Sequence, residues 1–103
     1  LGMYYVRTIK IEGGLMVSIA DEEVLGKAAV DEETGVRIIV SREFYGGDLV
    51  GEDKVEELMR RATVLVLAGK RIIRKAIEMG LVNPDSVLEI KGIQHVQVFK
   101  FSY

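Results

Sequence analysis

At 103 residues, with 49% hydrophobic and 29% charged side chains, the chain has the composition of one folded domain and not of a disordered segment. It holds no cysteine, which excludes disulfides, thiolate zinc sites and cysteine nucleophiles, and no apolar run approaches the ~20 residues that span a bilayer. The net charge of −2 conceals an asymmetry, −6 over residues 1–53 against +4 over residues 54–103, so positive charge for gripping an anion is concentrated in the second half.

Leu1-Gly2 ahead of Met3 reads as an expression remnant, leaving one domain over 3–103. No basic stretch followed by an apolar run opens the chain, so a soluble cytoplasmic protein is expected, with no membrane partner. Few Asn and Gln beside many Lys, Arg and Glu resemble the thermophile pattern.

Met3 to Ile11 is rich in Tyr, Val, Ile and Thr, and "LMVSIA" follows Glu12-Gly13-Gly14, which predicts a hairpin. Asp21-Glu22-Glu23 has the features of a short helix start, with Asp21 as N-cap and Gly26 as its limit. Asp31 to Gly35 is a polar loop between two strand-like runs, a second hairpin. In its second arm Val36, Ile38 and Val40 alternate with Arg37, Ile39 and Ser41, as in a largely buried strand.

In "EFYGGDLVGED" (43–53), Phe44 and Tyr45 are placed to plug the end of the core, and Gly46-Gly47 would allow positive φ. The same stretch is the candidate functional loop, Tyr45, Gly46, Gly47 and Asp48, because loops carry function more often than cores. Gly51 is the expected N-cap of a helix over Glu52 to Arg61, where Val55, Leu58, Met59 and Ala62 keep helical spacing. Glu56–Arg60 and Glu57–Arg61 stand at i,i+4 on its other face. "ATVLVLAG" is ambiguous between strand and helix. Its position between two helical patterns favours a helix capped by Thr63 and running through Gly69 to Met79, with Gly80 at C′. "SVLEIKG" and "IQHVQVFKFSY" close the chain as strands around Gly92. The fold class is therefore α+β, a mainly antiparallel sheet built from hairpins with a helical pair packed on one face.

Catalytic signatures fail. Gly69-Lys70 is followed by Arg71 and position 64 is Val, so no P-loop forms. No G-x-S-x-G surrounds any serine, and the single histidine cannot build a histidine zinc site. No metal or cofactor is expected. His95 reads either as a proton carrier near the 44–48 loop or as a half-buried imidazole bonded within the fold. Lys70, Arg71, Arg74 and Lys75 form a basic helix sector that would neutralise phosphates, with Arg60 and Arg61 extending it, although no aromatic side chain stands there for base stacking.

The series "DEEVLGK", "VSREFYGGDLV", Ala62 to Gly69 and "GLVNPDSVLEIKGIQHVQ" resembles the archaeal family labelled domain of unknown function 424, essentially over the whole chain from Met3. The resemblance implies a cytoplasmic archaeal protein and carries over no activity, cofactor or catalytic residue. Together these features point to a non-catalytic interaction module for a protein or structured RNA partner. The rival is a small enzyme or ligand-binding domain on the Phe44–Asp48 loop and His95. Self-association through the long final strand is a third expectation, giving a homo-oligomer.

Overall fold

The structure, a computed structural model, describes residues 2–100. Its sequence runs β1 (Tyr4–Ile11), β2 (Gly14–Asp21), a 3-10 turn at Glu22–Val24, β3 (Ala28–Val30), β4 (Arg37–Ile39), α1 (Arg42–Tyr45), β5 (Asp48–Val50), α2 (Glu52–Arg61), β6 (Val64–Ala68), α3 (Lys70–Glu78), a 3-10 turn at Pro84–Ser86, β7 (Leu88–Ile90) and β8 (Ile93–Phe99). Six strands form one sheet in the order β5-β1-β2-β6-β8-β7, and β3-β4 is a separate hairpin. All pairings are antiparallel except β2 with β6. The domain is α+β, as the sequence predicts.

The parallel β2-β6 pair is the centre of the molecule. Val17, Ile19, Leu65 and Leu67 point to the side covered by α2 and α3, meeting Val55, Leu58, Met59, Ile72, Ile73 and Ala76. Ala20, Val66 and Ala68 point to the other side, under Ala29, Ile38, Val40 and Tyr45 of the hairpin and α1. Residues 65–68 are thus buried on both faces, which is why they read as an unbroken apolar run and not as an alternation.

That double burial overturns the expected helix over Thr63–Gly69. The run has the neighbours a strand needs, β2 on one side and β8 on the other. Thr63 does not cap a helix. Its Oγ1 accepts from the Leu15 N–H at 2.9 Å and its own N–H donates to the Leu15 carbonyl at 2.8 Å, tying the start of β6 to β2. The helix begins only at Lys70, after Gly69 has turned the chain at φ 117°.

Two hairpin turns are as expected, with Gly13 at φ 80° and Gly92 at φ 84°. Gly80 ends α3 at φ 76°, the Leu81 N–H returns to the Ala76 carbonyl at 2.9 Å, and Val82 folds back into the core. Val36 departs from expectation: it is 46% exposed while Ile38 and Val40 are buried, because β4 pairs only over Arg37–Ile39 and the sheet does not cover its outer side. Asp21 precedes a 3-10 turn and puts no side-chain hydrogen bond into it.

Gly46 and Gly47 are also not what the sequence suggests. Gly46 has φ −81° and neither glycine is in the left-handed region. Their requirement is space. Ser41 caps α1 by accepting from the Phe44 N–H, and the chain then passes so close to β1 that a Cβ on Gly47 would meet the Val6 carbonyl oxygen.

Gly47→Ala is therefore expected to lower stability by about 1–3 kcal/mol through backbone overpacking. Gly35→Ala, with no atom within 4 Å of the added Cβ and φ at +78°, suffers only the conformational cost of about 1–2 kcal/mol. Urea midpoints of the two variants check the order.

Candidate functional site

The basic residues of α3 separate into two pairs. Arg71 is bound to the first half of the chain, and Lys75 to the acidic side chains of α2. The Arg71 guanidinium contacts Glu23 at 2.7 and 2.8 Å, donates to the Met3 carbonyl at 3.0 Å and lies 4.7 Å from the centre of the Tyr4 ring. Lys75 bridges Glu52 at 2.7 Å and Glu56 at 2.9 Å, and the Tyr4 hydroxyl donates to the same Glu52 at 2.6 Å. Hydrogen bonding to Arg71 draws the Glu23 carboxyl down to about 2, and burial together with Glu52 pushes the Tyr4 phenol up to about 12.

Under this network lies Asp21, which is 1% exposed. Its two carboxylate oxygens accept from the backbone N–H groups of Arg71 and Ile72 at 2.8 and 2.9 Å. The first turn of α3, at the carboxyl end of a parallel strand pair, is the place where a phosphate would settle. Here the chain's own carboxylate occupies it, and a side chain at Gly69 would strike that carboxylate. Burial raises the Asp21 carboxyl above its ordinary value despite the two N–H donors. Lys70 and Arg74 remain exposed beside a groove of ≈ 250 Å³ shared with Ile77 and Gln94.

The 44–48 loop and His95 do not converge. Tyr45 is 2% exposed in the core under the hairpin, and burial pushes its phenol up to about 12. His95 is paired opposite Ala68, so it shares Tyr45's face of the sheet, and burial lowers its imidazole. Asp48 is paired opposite Val6, whose side chain enters the helix-covered core, so Asp48 lies on the other face. Gly46 offers its carbonyl to Arg7 at 3.1 Å. Among the described residues no group of three His, Cys, Asp or Glu is arranged to hold a metal ion, and no helix is long and apolar enough to cross a membrane.

What the sequence reading missed is a groove of ≈ 490 Å³ where α2 overhangs β1 and β5. Lys10, Lys54 and Arg61 stand on its rim with Thr8 and one carboxylate, Asp48, over a floor that among the described residues includes Val6 and Leu58. Lys54 and Arg61 both reach Glu57 at 3.5 Å from exposed positions, contacts worth little in water. The three cations are spread from position 10 to position 61 and come from a strand and the two ends of a helix. No local motif could have gathered them.

A family model described as "Protein of unknown function (DUF424)" matches residues 9–101. The chain belongs to the DUF424 family. Its fold is similar to that of an uncharacterized conserved protein from Methanopyrus kandleri, with a TM-score of 0.72 at 19% identity over 98% of this chain and 96% of that one. No curated protein matches. At that identity the likeness shows a shared fold and nothing more.

Asp21→Ala leaves two helix N–H groups of this DUF424 domain without an acceptor and should cost about 1–3 kcal/mol at neutral pH, read by urea denaturation. Glu23 gives a pH test. Its folded-state carboxyl, at about 2, lies below the ordinary 4.5, so the Arg71 pair contributes above pH 4.5 and fades as the pH falls towards 2. Because the pair is solvent-exposed, Glu23→Gln is expected to destabilise by no more than about 1 kcal/mol at pH 7 and by nothing measurable near pH 2.

Proposed function

We propose that this DUF424 domain is a non-catalytic, cytoplasmic interaction module that docks an acidic protein partner on the groove rimmed by Lys10, Lys54 and Arg61. The observation that carries the reading is the composition of that groove, three cations and one carboxylate above an apolar floor. Such a surface suits an acidic side chain attached to an apolar backbone segment: charge sets orientation and association rate, and the floor supplies desolvation. Tyr45 and His95 lie across the sheet from Asp48, which weighs against an active site built on those three residues.

Structured RNA fits less well. Arg71 and Lys75 are engaged by Glu23, Glu52 and Glu56, leaving Lys70 and Arg74 of the basic sector for phosphate. Among the described residues no aromatic side chain lines the cationic groove to stack a base.

Fluorescence anisotropy with short polyglutamate and with a structured RNA hairpin, each at low and high salt, tests the reading. Polyglutamate should bind, weaken with salt, and lose at least about tenfold in affinity when Lys10 and Arg61 are both changed to Glu. Lys70→Ala with Arg74→Ala should leave that binding unchanged. RNA binding abolished by the Lys70/Arg74 pair, or polyglutamate binding indifferent to Lys10 and Arg61, would transfer the function to α3 or remove it.

A further inference from the structure

The geometry points to strand addition at the open edge of β1 as the mode of docking: an extended segment in which acidic residues alternate with apolar ones pairs with Thr8–Ile11. This rests on the groove reading above and specifies the shape and sequence pattern of the partner. β1 is paired with β2 along all of Tyr4–Ile11, but β5 covers its other side only from Tyr4 to Val6. Among the described residues no strand pairs with Arg7–Ile11 on that side. The chain arrives at this edge through Gly47, packed on the Val6 carbonyl, and leaves along β5 in the direction away from Ile11.

The free backbone groups can be assigned. The hairpin closes through a two-residue turn with Ile11 opposite Gly14, and in such a turn the closing pair exchanges both backbone hydrogen bonds. Alternation then directs the N–H and C=O of Lys10 and Thr8 outward. Leu15, opposite Lys10, is consistent with this, since its own N–H and C=O go to Thr63 on the far side.

The two faces of this edge differ. Towards α2 lie Lys10, Lys54 and Arg61; on the opposite face Ile9 and Ile11 are 40% and 38% exposed. A strand added here would send alternate side chains to a cationic groove and to an apolar shelf. A nucleic acid would leave the outward amides and the isoleucines unused. A second copy of this chain, pairing β1 with β1 about a two-fold axis, would bring both sets of cations together, a repulsive arrangement.

A short peptide of alternating Glu and Val is the probe, with its Lys-for-Glu counterpart and a version N-methylated on alternate residues as controls. The expected result is protection of the Thr8 and Lys10 amides from hydrogen exchange on binding, and at least about a tenfold loss of affinity in Thr8→Pro, in Lys10→Glu and with the N-methylated peptide. Thr8→Pro removes only an outward N–H, and the N-methylated peptide makes the same test on the unaltered protein. Binding that survives both Thr8→Pro and N-methylation but is lost in Lys10→Glu would overturn strand addition while leaving the groove reading intact. Absence of binding by the Glu-Val peptide and polyglutamate alike would overturn both. A peptide-free dimer that already protects those two amides would show the occupant to be a second copy, against the proposal.

Discussion

The carboxylate of Asp21, held at the end of β2 by the N–H groups of Arg71 and Ile72 in the first turn of α3, is the constraint on which the architecture turns. It joins the first half of the chain to the second at the point where two parallel central strands end together. Gly69 must be glycine to let it in, both for its φ of 117° and because a Cβ would occupy the same space. Around it, Glu23 and Glu52 of the acidic half hold Arg71 and Lys75 of the basic half. The charge asymmetry along the sequence is to that extent internal bracing.

This bracing redirects the functional question. A helix N-terminus following a strand is a ready anion site, and here the protein supplies the anion itself. With Arg71 and Lys75 also engaged, α3 keeps Lys70 and Arg74 beside a small groove, and the larger groove with cations on its rim lies where α2 overhangs β1. That groove exists because β5 is only three residues long and leaves the second half of β1 uncovered while α2 overhangs it. Short or interrupted edge pairing is ordinarily protected by charge, and Lys10 fits that role too. Recognition of a partner and avoidance of self-pairing then ask for the same side chain.

The parts of the fold that could be read from the sequence are those with a local cause. Glu12-Gly13, Asp31 to Gly35 and Lys91-Gly92 reverse the chain because glycine tolerates the required φ, and α2 shows its apolar stripe at Val55, Leu58 and Met59. The 64–68 strand was opaque for the opposite reason. Burial on two faces erases the alternation that marks a half-buried strand, and only its neighbours distinguish it from a buried helix. Gly46-Gly47 announced a special backbone position, but the demand on Gly47 comes from Val6, about 40 residues away in the chain, and on both glycines concerns distance and not dihedral angle. On the site, the sequence offered the basic sector of α3 and the 44–48 loop with His95. The tertiary structure ties half of the first into ion pairs and divides the second between two faces of the sheet.

By itself, then, the sequence determined the class of fold, the hairpins, the start of α2 after Gly51, the stop of α3 at Gly80 and the exclusion of cysteine chemistry, since each follows from side-chain type or from spacing within a few positions. The tertiary structure alone decided which charges are free. Lys10, Lys54 and Arg61 are ordinary surface residues in one dimension, and Arg71 reads as an anion ligand until Glu23 is placed 2.7 Å away. Whether a cation is spent inside the fold or offered to a partner depends on contacts across some fifty residues of chain, and Coulomb's law acts on distance in space and not along the backbone.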